Sequence, residues 1–173
     1  MPNWCNNTAT LIIKDEAKKA EVLDAIQNYE DDSDKNSFLG YFVPEPDYDT
    51  TTDDVMPGWY WWRVNNWGTK WDIQLYHWDV IDDTITIGFD TAWAPPIGAY
   101  ESMAENHGIE VVASYYEPGC AFCGTWDNEN REEHYEYGEL ETPEAVREHI
   151  GEDLDDEWGI SEDIRQWIEE NEE

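Results

Sequence analysis

A β-hairpin is encoded by residues 72–91, which read DIQLYHWDVIDDTITIGFDT. The second half of this stretch alternates apolar with polar or small residues, which is typical of a strand with one buried face. Its apolar members are Ile85, Ile87 and Phe89. Asp82 and Asp83 stand between the two halves and favour a turn. The stretch therefore predicts antiparallel strands over residues 72–80 and 84–91.

A strand and a helix are predicted before this hairpin. Apolar residues alternate from Asn7 to Ile13, and they recur every three or four residues over 16–29, where we expect a helix capped by Asp15. Prolines, glycines and acids punctuate residues 30–58, which predicts mainly loop. Four apolar residues of this loop are expected to anchor it to the core: Phe38, Leu39, Phe42 and Val43. A short helix is expected within residues 59–71.

A second helix and a further strand are predicted after the hairpin. The helix is expected over residues 95–106, because two prolines open it and Gly108, which tolerates positive φ, follows it. Alternation resumes over residues 109–116. The resulting order predicts an α+β, ferredoxin-like split βαβ fold, with two helices on one face of a four-stranded antiparallel sheet.

The remaining chain is predicted to form a hairpin and two short helices. The hairpin is expected over residues 121–137, and the helices over residues 144–150 and 161–170. We therefore divide the chain into a ferredoxin-like core with a tryptophan-rich insertion, residues 1–118, and an acidic C-terminal extension packed on it, residues 119–173.

The composition favours a folded protein with a cationic partner. Hydrophobic residues make up 40% of the chain, which is enough for a core, but 42 acidic and 9 basic residues give a net charge of −33. This charge disfavours direct binding to nucleic acid or to an anionic membrane. No signal peptide or membrane-spanning stretch is evident, so we expect a cytoplasmic protein.

The acidic residues are most concentrated after residue 125. Residues 126–173 contain 20 acids and three arginines. A folded array of carboxylates could imitate the phosphates of duplex DNA, which present one charge per about 1.7 Å of helix axis. Solubility and adaptation to high salt are alternative explanations. The residues predicted to contact a basic partner are Glu152, Asp153, Asp155, Asp156, Glu157, Glu162 and Asp163.

A tryptophan-rich stretch is the other unusual feature. Residues 59–71 read WYWWRVNNWGTKW. Its rings could form a pocket that stacks a base or a sugar, or they could fill space between a long loop and the sheet. The residues of the pocket interpretation are Trp61, Arg63, Asn66, Trp67, Lys70 and Trp93.

Four segments resemble the YubB-type ferredoxin-like proteins of bacteriophages and conjugative plasmids. The segments are MPNWCNN at 1–7, NWGTKWD at 66–72, TAWAPP at 91–96, and YEPG at 116–119 with Phe122 and Gly124. The resemblance spans roughly residues 1–126 and leaves the acidic tail outside. It implies a ferredoxin-like fold and an accessory role in a mobile element, and it supplies no catalytic residues.

Signatures of catalysis or of a cofactor are absent from the sequence. Cys120 and Cys123 form a C-x-x-C whose flanks are predicted as turn and strand, so we expect neither a redox pair nor zinc ligands. The acidic clusters match no calcium loop, and there is no phosphate loop or dinucleotide fingerprint. We therefore expect a protein that is not an enzyme and needs no cofactor or metal.

These observations predict a phage or plasmid accessory protein. We expect it to bind a host nucleic-acid-binding protein, of defence, repair or transcription, and to inhibit it by DNA mimicry. Two alternatives remain open: a small-ligand or nucleotide-binding protein that uses the tryptophan-rich pocket, and a structural accessory factor of the mobile element.

Overall fold

The computed structural model of the chain describes residues 3–29, 37–48 and 58–171. Its strands are β1 (Trp4–Ile12), β2 (Gln74–Ile81), β3 (Thr84–Ala92), β4 (Glu110–Glu117), β5 (Phe122–Asp127) and β6 (Arg131–Glu136). Its helices are α1 (Glu16–Gln27), α2 (Phe38–Phe42), α3 (Gly58–Asn66), α4 (Ile97–His107), α5 (Pro143–Ile150), α6 (Glu152–Trp158) and α7 (Ile160–Asn171). The strands form one antiparallel sheet in the order β2-β3-β1-β4-β5-β6.

The predicted ferredoxin-like fold is confirmed. Strands β2, β3, β1 and β4 are neighbours, and the alternation predicted for β1 is seen as strict alternation of buried and half-buried residues. Val22 and Ile26 of α1 share one hydrophobic cluster with Tyr100 and Met103 of α4 and with Leu11 of β1. Both helices therefore cover the same face of the sheet, as expected.

The sheet is larger than predicted, because the C-terminal hairpin extends it from four strands to six. β5 pairs with the outer edge of β4, from Val112 opposite Asp127 to Glu117 opposite Phe122. Trp126 lies opposite Ala113 and is fully buried in the main core. An open edge of β4 would leave backbone groups unpaired, and the hairpin satisfies them while burying a large side chain.

A short helix, α2, interrupts the segment that was predicted as loop. Ser37 caps it through the amide of Gly40, and the Asp72 carboxylate accepts hydrogen bonds from the amides of Phe38 and Leu39 at 2.7 and 2.9 Å. The partner that stabilises its first turn thus comes from a distant segment. The predicted anchors are confirmed: Phe38, Leu39 and Phe42 are buried, and Val43 packs against the core. Residues 30–36 and 49–57 of the predicted loop lie outside the described residues.

The C-terminal segment forms three helices where two were predicted. The additional helix is α6. Gly159, with a φ of 68°, ends α6 and separates it from α7. The helices pack around Val146, Ile150, Leu154 and Ile160. Within the described residues, no helix has the length and apolarity required to cross a membrane.

The contact between α3 and α4 gives a test of the packing. A Cβ atom on Gly98 would lie 2.1 Å from the backbone oxygen of Asn66. We expect Gly98→Ala to lower the free energy of unfolding by about 2–3 kcal/mol, because one of the two helix ends would have to move. Urea denaturation measures this loss.

Gly58→Ala is the matched control for this test. Among the described residues, the added Cβ would meet the Tyr48 ring at 3.8 Å, which is an ordinary contact. We expect its free energy of unfolding to stay within about 0.5 kcal/mol of the parent protein. Equal stability of the two variants would contradict the close approach of α3 and α4.

Candidate functional site

The helices α5, α6 and α7 form a layer on the sheet face opposite to α1 and α4. Their cluster includes Cys123 of β5, together with the half-buried Tyr116 of β4, and both side chains point away from the main core. The Ser114 hydroxyl donates a hydrogen bond of 2.6 Å to Glu157, and the ring of Tyr116 lies 6.0 Å from that of Trp158. The three helices are therefore held on the sheet by apolar packing and by polar contacts.

Six of the seven acids predicted to contact a partner are exposed on this layer. We call them the acidic surface: Glu152, Asp153, Asp156 and Glu157 on α6, and Glu162 and Asp163 on α7. The other described acids of α5 and α7 are exposed as well. The C-terminal layer thus presents carboxylates on two consecutive helices.

The seventh acid, Asp155, does not belong to that surface. It is only 2% exposed. Its carboxylate accepts hydrogen bonds of 2.7 Å from both the amide and the hydroxyl of Ser161, and one of 2.6 Å from Arg147. Burial alone would raise the pKa of Asp155, but these hydrogen bonds and the Arg147 charge hold it below its ordinary value. Asp155 fixes α6 against α5 and α7, and a partner cannot reach it.

The two arginines of this layer are engaged with its own acids. Arg147 donates from one nitrogen to Asp155 and to Asp156, at 2.6 and 2.5 Å. Arg165 bridges Glu144 and Glu162, at 3.1 and 2.7 Å. These pairs border a cleft of about 390 Å³ between α5 and α7. The arginines fix the orientation of several carboxylates and leave the layer strongly negative.

The tryptophan-rich stretch divides into a buried part and a surface part. Trp67 is fully buried, and its indole N–H donates to the Val43 carbonyl at 2.9 Å. Arg63 lies between the rings of Trp59 and Trp67 and forms an ion pair with Glu45. The side chain of Asn66 donates to the Trp62 carbonyl. These members of the predicted pocket therefore have structural contacts, as the space-filling interpretation expects.

The surface part surrounds Lys70. Its ammonium nitrogen lies 4.5 Å from the ring centroid of Trp71, 4.7 Å from that of Trp93 and 5.8 Å from that of Tyr60. Further rings extend the group: Trp4 lies 6.2 Å from Trp71, and Trp61 lies 5.1 Å from Tyr60. We call these six residues the aromatic cluster: Trp4, Tyr60, Trp61, Lys70, Trp71 and Trp93.

Three members of the aromatic cluster were not among the predicted pocket residues. Tyr60 and Trp71 stand in the same aromatic run as Trp61 and Lys70, so the sequence signal was present. Trp4 is far in sequence from the rest of the aromatic cluster. It belongs to the cluster because β1 begins beside the end of β3, where Trp4 pairs with Ala92. Only the folded sheet brings it to this place.

The two cysteines of the C-x-x-C differ in their surroundings. Cys123 is buried, which raises the pKa of its thiol to about 12. Cys120 is exposed, and its sulfur accepts a hydrogen bond of 3.4 Å from Asn3. Among the described residues, no group of three or more His, Cys, Asp or Glu side chains is arranged to hold a metal ion. Their lack of a catalytic or zinc-binding role stays a prediction.

One polar constellation was not anticipated from the sequence. The Tyr115 hydroxyl donates to Glu132 at 2.8 Å and lies 2.9 Å from the ring nitrogen Nδ1 of His134. Burial raises the pKa of Tyr115 far above its usual range, and the Glu132 carboxylate adds to this effect. These contacts connect β4 with β6 across the intervening strand β5.

Comparison with protein families gives one match. A family model described as a ferredoxin-like domain in Api92-like protein matches residues 70–160, which cover β2 to β6 and α4 to α6. The comparisons with curated proteins and with solved structures gave no match.

The role assigned to Asp155 can be tested by removing its charge. We expect Asp155→Asn to lower the free energy of unfolding by about 2 kcal/mol at neutral pH, because Arg147 and Ser161 lose a buried ionic partner. Asp155 should stabilise the folded protein above about pH 3.9, the ordinary pKa of an aspartate in an unfolded chain. This stabilisation should be lost as the pH falls through the lower pKa that Asp155 has in the folded protein. Urea denaturation between neutral and acidic pH measures both effects.

Asp156→Asn is the control, since it removes the other carboxylate bound to Arg147. Its side chain is 67% exposed, so we expect a loss within about 1 kcal/mol. If both variants lose equal stability, or if the Asp155 effect is unchanged at acidic pH, the proposed anchoring by Asp155 is wrong.

Proposed function

The chain belongs to the family of the ferredoxin-like domain in Api92-like protein, and we propose that it binds the basic, nucleic-acid-binding surface of another protein and blocks it. In this proposal carboxylates replace the phosphates of duplex DNA. The proposal rests mainly on the density of exposed acids along α6. The net charge of −33 adds a long-range attraction for a cationic partner.

The spacing of charges on α6 supports mimicry. Seven helical residues span about 10 Å at a rise of 1.5 Å per residue. Four of its acids are exposed: Glu152, Asp153, Asp156 and Glu157. One charge per about 2.6 Å of axis follows, which approaches the value of about 1.7 Å for duplex DNA.

The rigidity of these carboxylates also supports the proposal. A decoy needs charges whose positions are fixed before the partner arrives, because ordering them on binding would cost free energy. Three contacts fix α6 and its acids: the buried Asp155 accepts a hydrogen bond from Ser161, Asp156 from Arg147, and Glu157 from Ser114. These contacts thus offset the mutual repulsion of the acids and keep α6 in a fixed position.

The charge and the resemblance to YubB-type proteins are the basis on which we propose a class of partner. We propose an accessory protein of a phage or a conjugative plasmid that acts in the cytoplasm of a bacterial host. Its target would be a host protein of defence, repair or transcription whose nucleic-acid cleft is lined by Lys and Arg. Such clefts bind phosphates through the same charge contacts that a carboxylate array can make.

The test compares two triple charge reversals. Glu152→Lys, Asp153→Lys and Asp163→Lys change the acidic surface, while Asp79→Lys, Glu101→Lys and Glu110→Lys make the same change in net charge elsewhere. All six residues are exposed, and none has an ion pair within the described part of the chain. Immobilised parent protein first captures partners from a host lysate, and graded salt elutes them.

We expect the first reversal to weaken binding of the purified partner at least about tenfold more than the second, since close charge pairs are lost. Duplex DNA should compete with the parent protein, and affinity should fall with salt because exposed charges are screened beyond about 8 Å at 0.15 M. Equal effects of the two reversals, or binding that duplex DNA does not reduce, would show that mimicry is wrong.

A further inference from the structure

The aromatic cluster lies in segments that contain no acid. Residues 3–7, 58–71 and 91–98 include Arg63 and Lys70 but no Asp or Glu, although 42 of the 173 residues of the chain are acids. These segments meet at one end of the sheet, where β1 begins and β3 ends. Asp72 and Asp90 border these segments, and both carboxylates accept internal hydrogen bonds. The six acids of the acidic surface lie on other segments, so repulsion of a small anion is weaker here than beside that surface.

Lys70 supplies a cation that donates no hydrogen bond to the residues that the structure describes. Six of the other basic residues form ion pairs: Lys18, Lys19, Arg63, Arg131, Arg147 and Arg165. Lys70 has no carboxylate and no hydrogen-bond acceptor within reach among the residues that the structure describes. Its contacts are with the rings of Tyr60, Trp71 and Trp93. The rings position the ammonium group and leave its donors for an external acceptor.

Two indoles of the cluster are presented to solvent. Trp61 is 55% exposed and Trp93 is 43% exposed. Trp93 has a φ of 71°, a conformation that costs free energy for a bulky residue. It is held there by a hydrogen bond of 2.9 Å from its amide to the Asn3 carbonyl. The surrounding fold therefore keeps a large apolar ring at the surface in a strained backbone conformation.

We propose that the aromatic cluster binds a mononucleotide. The base stacks against the exposed indoles of Trp61 and Trp93, and a phosphate oxygen accepts hydrogen bonds from Lys70. Stacking on aromatic side chains accommodates any base, because every base has a π face. In a mononucleotide, one sugar separates the base from the phosphate. The two groups that would bind them are also close together, because the ammonium nitrogen of Lys70 lies 4.7 Å from the Trp93 ring centroid.

The charge distribution favours a single nucleotide over a nucleic-acid strand. The cluster offers one available cation, whereas each further nucleotide of a strand adds a phosphate charge. Those extra phosphates would approach a protein with a net charge of −33. A neutral sugar or nucleoside, in turn, would offer Lys70 hydroxyl acceptors but no opposite charge, and hydrogen bonds between charged groups are the stronger ones. The proposal is independent of the acidic surface, and its tests do not involve a protein partner.

The test titrates the full chain with AMP and UMP by calorimetry, and follows the indole N–H signals by NMR. We expect dissociation constants of about 0.1–1 mM, which is typical of one stacked ring and one ion pair. Trp61→Ala and Lys70→Gln should each weaken binding at least about fivefold. Indole signals of Trp61 and Trp93 should shift on binding, and that of Trp167 should not.

Matched controls separate the site from general effects. Trp167→Ala removes an indole that is 65% exposed on α7, and Lys14→Gln removes an exposed lysine before α1. Both should bind AMP within about twofold of the parent protein, as expected for substitutions remote from the site. Adenosine should bind the parent and Lys70→Gln alike.

Three results would overturn the proposal. The first is the absence of AMP and UMP binding at concentrations up to about 10 mM. The second is equal binding of AMP by Lys70→Gln and by the parent protein. The third is tighter binding of a single-stranded oligonucleotide than of the mononucleotides, which would identify the surface as a strand-binding one.

Discussion

The pairing of β1 with both β3 and β4 is the contact on which the rest of the molecule depends. Residue by residue, β1 lies between them: Ala9 is opposite Ile87 on one side and Ala113 on the other. Its buried side chains supply the base on which α1 and α4 pack. Because β4 is thereby fixed, its other edge can receive β5 and β6, and the C-terminal helices gain a surface on which to fold.

Buried polar contacts at the start of β1 extend this constraint to the aromatic cluster. The Asn7 side chain donates to the Thr91 hydroxyl at 2.9 Å, and that hydroxyl donates to the Ala94 carbonyl at 2.8 Å. The Thr69 hydroxyl donates to the Ala92 carbonyl at 2.9 Å. Together they fix the turn that carries Trp93 beside Lys70. Residues 3–7, 66–72 and 91–96 therefore meet in one place.

The sequence predicted those features that depend on local periodicity, and it missed those that depend on distant partners. Strands, the main helices and the shared helix face follow from apolar alternation and spacing. Helix α2 was missed although its local cap, Ser37, stands in the sequence, because Asp72, which binds its first amides, comes from a distant segment. The acidic surface was recognisable from composition, whereas the burial of Asp155 depends on its contacts with Ser161 and Arg147. The aromatic run was visible, but the separation of buried Trp67 from exposed Trp61 was not.

The two candidate surfaces place opposite demands on charge, and the fold meets both by segregating residues. The acidic surface gains from many uncompensated carboxylates, so its arginines are few and are engaged in fixing acids. The aromatic cluster gains from one lysine that forms no ion pair with the acids of the described residues. At physiological ionic strength, screening over about 8 Å weakens the effect of distant acids on the aromatic cluster. A strongly acidic protein can therefore retain a local site for a small anion, provided that acids are excluded from the segments that build it.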